Sequence, residues 1–383
     1  MITEINIQNF KSHKNTNIGL NNLTVLCGNN GVGKSSAIQL LLLLREAYVK
    51  DKSFEIIDLK SNPIKVGTPN DAIYEFSLKD SFQIELKTDI ETSKFIYEAN
   101  TEEDKVKTFI KLNLEKSEQP NGMLEESLFN TNFQYISAAR LGPQEKYDKD
   151  DKIVDVHKQI SVLEGKAEYF VHFLEKYKNE DVINDICILN EDTKYSDLFT
   201  QVIAWEKCIS KGINIEIVDI GKLGYLLKYS FDTKASATKR TKNFEATNVG
   251  FGLSFVMPIL VAILSAKKGA LIIIENPEAH LHPNGIAKLT ELICLAAQAG
   301  IQIILETHSD HIINGILVQS KKKEMGQKGI DKNNVSIYHF DRDDNEHCAK
   351  SIKIEIEEGG RLLNQPKGFF DQIEIDLEKL MGF

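Results

Sequence analysis

The stretch Leu23-Thr-Val-Leu-Cys-Gly-Asn-Asn-Gly-Val-Gly-Lys-Ser-Ser36 decides the fold of this chain. It fits the pattern G-x-x-x-x-G-K-[ST], with Gly28, Gly33, Lys34 and Ser35 at the fixed places. An apolar strand, Leu23 to Leu26, brings the chain to a tight loop. The glycines let that loop wrap with its backbone N–H groups pointing inward. Gly28, Asn29, Asn30, Gly31, Val32 and Gly33, continued by Lys34, Ser35 and Ser36, thus form a nest for phosphate oxygens. The helix that follows starts there and favours negative charge at its N-terminus. Lys34 is expected to reach the β- and γ-phosphates, and Ser35 to bind Mg²⁺. Ile38 to Val49 is rich in strong helix formers and apolar nearly all round, which suits a helix buried against a sheet. The stretch therefore reads as a nucleoside triphosphate site.

The chain has 383 residues, 42% of them hydrophobic and 27% charged, as in an ordinary soluble globular protein of about two domains. A net charge of −10 argues against a surface that binds nucleic acid everywhere, but leaves room for a local basic patch. The five cysteines, at 27, 187, 208, 294 and 348, include no C-x-x-C pair, so neither a zinc site nor a disulfide framework is suggested. That fits a reducing cytosol, and a cytoplasmic location is expected. The N-terminus lacks a secretory pattern. Val249 to Ala266 has the apolarity of a membrane span. It is only ~18 residues long and holds Gly250, Gly252, Ser254, Pro258 and Ser265, so a buried helix opening in a glycine turn is expected, with no membrane contact.

Along the chain, three segments are expected. Residues 1–150 carry the phosphate loop. Within them Ala72 to Leu78, Gln83 to Thr88, Lys94 to Tyr97 and Val106 to Leu114 read as an antiparallel sheet. Phe133 to Arg140 reads as a strand returning to the core and ending in a cation. Residues 151–245 read as a helical insertion, from the spacing of Val162, Tyr169, Phe173 and Tyr177 and of Leu198, Val202, Trp205 and Ile209. A hairpin follows, Ile213 to Val218 and Tyr225 to Phe231. Residues 246–383 hold two runs with no polar face, Ala270 to Ile274 and Ile301 to Leu305, as expected of central parallel strands.

Those two strands end in chemistry. The first runs into Glu275-Asn276-Pro277-Glu278, and an apolar strand ending in a carboxylate downstream of a phosphate loop is expected to hold Mg²⁺ through Glu275. The second runs into Glu306-Thr307-His308-Ser309, where His308 is placed to hydrogen-bond the γ-phosphate. Gly250-Phe-Gly-Leu-Ser254 offers a second anion-binding turn at a helix start, suited to another subunit's nucleotide.

In this order, after a Phe10-Lys-Ser-His13 turn, these motifs resemble the ABC-type ATPase heads of the SMC/RecF and OLD-like families, over about 1–50 and 246–383. The Pro366-Lys-Gly-Phe-Phe-Asp-Gln372 end is similar to the C-terminal cap of a prokaryotic OLD-like subset. Many of that subset are ATPase halves of anti-phage modules of the Septu and Gabija types. The resemblance implies an α/β fold: a P-loop head of two lobes, a mixed central sheet plus an antiparallel sheet, and a helical insertion. It implies hydrolysis of ATP with Mg²⁺ between two subunits, hence at least a homodimer, and a separate effector nuclease. Gly250, Gly252 and Ser254 match the turn that serves the partner's nucleotide, His280 to Pro283 the loop that meets the partner, and His308 the switch histidine.

One position departs from the family. Where most such heads carry a Glu that positions the attacking water, this chain has Asn276. An amide orients water but cannot accept its proton, and loss of a general base costs typically ~10²–10⁴ in rate. Either Glu278 takes over, or the chain is a slow ATPase working as a nucleotide-gated clamp. Gln144 is the candidate for a Mg²⁺-sensing glutamine, and Arg140 is either a phosphate contact or a structural ion pair. Lys234, Lys239, Arg240 and Lys242 form a basic loop that is either a DNA contact or a solvated turn. Asp341, Asp343 and Asp344 read as a turn rather than a nuclease centre. A RecF/SMC-like DNA-maintenance ATPase is the alternative reading.

Overall fold

The computed structural model describes residues 1–62, 64–118, 121–162, 164–182, 189–366, 369–370 and 372–381. Cys187 and the Lys367, Gly368 and Asp371 positions of the expected cap lie outside these. β1 (Ile2–Phe10) and β2 (His13–Gly19) form a hairpin. β3 (Leu23–Gly28) delivers the phosphate loop, and α1 (Lys34–Asp51) leaves it. Then come β4 (Ile56–Asp58), the short α2 (Pro69–Ala72), β5 (Ser81–Thr88), β6 (Thr92–Glu98), the short α3 (Glu102–Lys105) and β7 (Phe109–Leu112). With β1 and β2 these strands make an antiparallel six-stranded sheet in the order β2-β1-β5-β6-β7-β4.

The sheet differs from expectation at two places, each for a local reason. Ala72 to Leu78 is not a strand, because Thr68 and Asp71 cap a helical turn with Pro69 at its first position. The strand expected from Val106 to Leu114 is cut to Phe109–Leu112, because Thr101 and Asp104 cap α3 just before it.

β8 (Phe133–Ile136) follows, and the chain turns at Ser137, so Arg140 lies outside the strand rather than at its end. The middle segment is less helical than its spacing suggests. It holds a π-helical turn, Lys152–Val156, then α4 (Phe170–Tyr177) and α5 (Leu198–Ile209). Glu164, Gly165 and Ala167 take left-handed backbone, which no helix continues through, and Val162 is exposed. β9 (Ile213–Asp219), β10 (Tyr225–Phe231) and β11 (Phe244–Glu245) make a small sheet.

α6 (Phe251–Ser265), β12 (Leu271–Glu275), α7 (Pro283–Gln298), β13 (Gln302–Glu306) and α8 (Asp310–Glu324) alternate. β14 (Val335–Asp343), β15 (Cys348–Glu357), β16 (Arg361–Leu363) and α9 (Gln372–Met381) close the described chain. The resulting seven-stranded sheet has the order β16-β15-β14-β3-β13-β12-β8, parallel from β14 to β8 and antiparallel beyond. Both faces are covered. Val25, Ile272, Ile274, Ile303 and Leu305 share one buried cluster with α4 to α8, and Leu26, Ile273 and Ile304 share another with α1 and the six-stranded sheet. That is why the two β-runs carry no polar alternation. Among the described residues, no helix is long and apolar enough to cross a membrane.

The phosphate loop is braced from behind by the β1–β2 turn. His13 is fully buried, its Nε2 2.9 Å from the Gly33 carbonyl and its Nδ1 2.9 Å from Thr16 Oγ1. A carbonyl only accepts, so Nε2 carries the proton and Nδ1 accepts from the threonine hydroxyl. Burial holds the pKa down to about 4, against 6.5 for a free imidazole. The unfolded chain therefore binds a proton at His13 between those two values and the folded chain does not. Stability from this site is complete above pH 6.5 and drains away as pH falls toward 4, by about 3 kcal/mol. In urea unfolding followed from pH 7 to 4, His13→Gln should lose less stability on acidification than the unaltered chain. Equal losses would show that His13 is not a source of the acid sensitivity.

Candidate functional site

Two glycines are dictated by the loop's contacts. Gly28 sits at φ 126°, and a Cβ there would lie 2.1 Å from the Phe340 carbonyl oxygen. Gly33 caps α1 at φ 107°, where a Cβ would meet Ser12 Oγ at 2.7 Å. Lys34 is buried, and its ammonium donates to the carbonyls of Gly28 at 3.0 Å and Asn29 at 2.5 Å. Burial lowers its pKa, and the nearby Glu306 partly restores it.

Strand register brings the rest to the loop. Glu275 pairs with Glu306, Glu306 with Leu26, and Ile274 with Ile136, so four parallel strands end level. Ser35 Oγ donates to Glu306 Oε1 at 2.8 Å, while Glu306 Oε2 is buried without a partner. Glu275 is held at both oxygens, Oε1 by the Tyr135 hydroxyl and Oε2 by the Ala138 N–H, each at 3.1 Å. Burial raises both carboxyl pKa values. Glu306 is pushed up to about 7 by burial and by its neighbour Glu275, against the pull of Ser35 and Lys34. These groups line a cleft of about 160 Å³ together with Asn30, Asn276 and His308.

The sequence reading does not single out Glu306. Its signal was present, since it ends an apolar strand as Glu275 does, but only pairing shows that the two ends are neighbours. Gln144 does not line the cleft. Its amide nitrogen is turned back onto the carbonyls of Gly142 and Pro143.

Behind the cleft Arg140 makes no ion pair among the described residues and turns its guanidinium onto backbone carbonyls. It donates to the carbonyls of Phe255, Ser137, Glu275 and Asn276 at 2.8 to 3.2 Å, with its guanidinium 4.0 Å from the Phe255 ring centre. It thereby ties the turn after β8 and the end of β12 to α6. Asn276 takes φ 45°, its N–H bonded to the Glu306 carbonyl and its Oδ1 buried and unpartnered. Glu278 Oε1 accepts from the His308 N–H at 3.1 Å, and its Oε2 is buried with no partner. Burial and Lys34 both lower the His308 pKa.

The glycine turn before α6 corrects one expectation. Gly250 caps the helix and Phe251 is 46% exposed, but Ser254 is fully buried. It lies one turn inside α6, where its hydroxyl shares a hydrogen bond of 3.2 Å with the Tyr229 hydroxyl, so it offers nothing to an anion outside. The presented part is Gly250 to Gly252. A Cβ at Gly252 would lie 2.4 Å from the His280 carbonyl oxygen, and the Phe251 and His280 rings are 4.5 Å apart. The turn and the 280–283 loop therefore form one surface. No group of three or more His, Cys, Asp or Glu that could hold a metal ion by themselves occurs among the described residues.

Comparison with known proteins bears on the family and the fold. Residues 1–201 match the family described as "AAA ATPase domain". Residues 208–314 match an "AAA domain" family whose description also names an AbiEii toxin and a type IV TA system. Residues 330–380 match a "Protein of unknown function (DUF3696)" family. No curated protein matches the chain. Two solved structures are similar in fold. An SMC head bound to the C-terminal winged-helix domain of ScpA has 14% identity and a TM-score of 0.52, over 93% of this chain and 98% of that one. An SMC head from Pyrococcus furiosus, with an extended coiled coil and bound to the C-terminal domain of ScpA, has 12% identity and a TM-score of 0.50, over 99% of each chain. The chain belongs to the AAA ATPase domain family, and its fold is that of an SMC-like P-loop ATPase head.

Proposed function

We propose that this chain is a Mg²⁺-dependent ATPase that works as a nucleotide-gated oligomeric clamp and controls a separate effector nuclease in prokaryotic anti-phage defence. One observation carries the ATPase: register gathers Lys34, Ser35, Glu275, Glu306 and His308 around one cleft at the carboxyl edge of a parallel sheet. The oxygen donors suit a hard cation, and Glu306 Oε2 is a buried oxygen without a partner. Ser35, Glu275 and Glu306 would hold Mg²⁺, which when bound neutralises charge on the β- and γ-phosphate oxygens.

The chain's own groups do the remaining work. Loop N–H groups from Gly28 to Ser36 cradle the phosphates, and the Lys34 ammonium turns from its carbonyls to them. The Asn276 amide orients the attacking water. Glu278 spends one oxygen on the His308 N–H and keeps the other for the water's proton. The same bond ties Glu278 to the residue proposed to sense the γ-phosphate, so loss of that phosphate would be felt at both. Turnover is slow, because the usual glutamate is Asn276.

The surface of Gly250 to Gly252 and His280 to Pro283 would take a second copy's nucleotide. This supports a homodimer at least, in the cytoplasm. The defence role and the effector are supported by the resemblance of the 366–372 segment. The second reading is a RecF/SMC-like DNA-maintenance ATPase, and ATP-dependent binding of DNA ends by the chain alone would select it.

Three measurements test the proposal. Lys34→Ala should abolish ATP binding by calorimetry, and retained binding would remove the phosphate-loop assignment. Glu278→Gln should lower turnover by about 10²-fold while ATP still binds, and an unchanged rate would exclude Glu278 as the base. The mass in solution should rise on adding ATP and Mg²⁺, or be oligomeric throughout. A monomer in all conditions would end the clamp reading.

A further inference from the structure

A second cleft, of about 600 Å³, lies between the carboxyl half of α1, β8 and residues 153–162 and 165. Its size is that of a small-molecule site, and Tyr48, Phe129, Phe133 and Tyr135 give it aromatic walls. Its charged groups are unevenly paired. Lys50 is within 3.4 Å of Asp58, and Glu46 also lines the cleft. Lys52, at the rim, has no carboxylate within ion-pair distance among the described residues, and its ammonium lies 5.0 Å from the Tyr48 ring centre.

Arg45 is the unusual member. Its Nη1 donates to the carbonyls of Leu128 at 2.5 Å and Asn130 at 3.0 Å, and its Cζ stands 4.0 Å from the Phe133 ring centre. Burial pulls its pKa down to about 9 against the charge of its neighbour Glu46, and among the described residues it makes no ion pair within 4 Å. A buried guanidinium hydrogen-bonded only to carbonyls, with Glu46 acting on it from beyond ion-pair distance, keeps its charge incompletely neutralised, which is costly. An anion in the cleft removes that cost, and the aromatic walls select a flat one.

The cleft also touches the first site. Tyr135 contributes its ring to the cleft wall and its hydroxyl to Glu275 Oε1, 3.1 Å away. Gly165, at φ +69°, sits directly on that ring, where a Cβ would be 2.6 Å from it. Anything that shifts the 164–166 segment therefore presses on the side chain that positions Glu275.

We propose that this cleft is an effector site for a planar aromatic anion, bound through Arg45 and Lys52, whose occupancy reaches the ATP site through Tyr135. The second half rests on the role proposed for Glu275, whereas the binding half does not. In the full chain carrying Lys34→Ala, which removes the phosphate loop as a receptor, calorimetry compares naphthalene-2-sulfonate, neutral 2-naphthol and AMP. The sulfonate should bind at least about tenfold tighter than the naphthol, and Arg45→Met should erase that preference. Lys52→Ala, at the exposed rim, should weaken the sulfonate about threefold and serves if Arg45→Met does not fold. AMP binding tighter than the sulfonate assigns the site to nucleotides, and weaker assigns it to aryl acids. Equal affinity for the sulfonate and the naphthol, or no binding, overturns the site.

With Lys34 restored, naphthalene-2-sulfonate should change ATP turnover at least about twofold, and Tyr135→Phe should abolish that change while the sulfonate still binds. Binding without any change in turnover overturns the effector role. A chain that binds the sulfonate but hydrolyses no ATP counts against the proposed ATPase and not against the anion site.

Discussion

The hydrogen-bonded register of β3, β13, β12 and β8 is the constraint on which the rest depends. These parallel strands end at one level, and so the phosphate loop, Glu306, Glu275 and the turn at Ser137 meet at one edge. The register is enforced by burial. Alternate residues of each strand enter two different apolar clusters, and a slip of one residue would exchange their faces throughout. A sheet solvated on one side would define those levels less strictly.

Gathering the strand ends also gathers like charge. Glu275, Glu278 and Glu306 bear on one another in a buried space with Lys34 nearby. The structure tolerates this through donors from the backbone and from Tyr135 and Ser35, and by pushing the Glu306 pKa upward. Left-handed backbone at Asn276 and His280 flanks the Glu278 turn, a conformation held against its cost by the surrounding ties. Arg140 is the main tie, since four of its five N–H donors go to carbonyls from three elements. The unpartnered oxygens of Asn276 and Glu306, which line the cleft, and of Glu278 beside it are thus held in place rather than neutralised.

The middle of the chain belongs to the same body. Phe170, Leu174, Val202 and Trp205 share the buried cluster of α6 to α8. The middle of the chain is thus packed into the core and is not a loose appendage. The resting position of Ser254 fits this picture, since its hydroxyl is occupied by Tyr229 of the small sheet.

Much of this was legible in the residues alone. A glycine pattern at fixed spacing forces a loop that wraps anions, and runs without polar alternation force strands covered on both faces. Lys34, Ser35, Glu275 and His308 follow from those two facts, because each sits where a strand or loop of known direction must end. What the linear order could not supply was adjacency. Glu306 joins the site only because β13 pairs between β3 and β12 in register. Gln144 is left out because its amide is turned back on its own turn, and Arg140 becomes a clamp because β8 stops at Ile136. Ser254 turns inward because the helix begins at Phe251, which places its side chain on the packed face. Local sequence sets backbone preference and the burial pattern, whereas the direction of a polar side chain is set by the partner that packing brings to it.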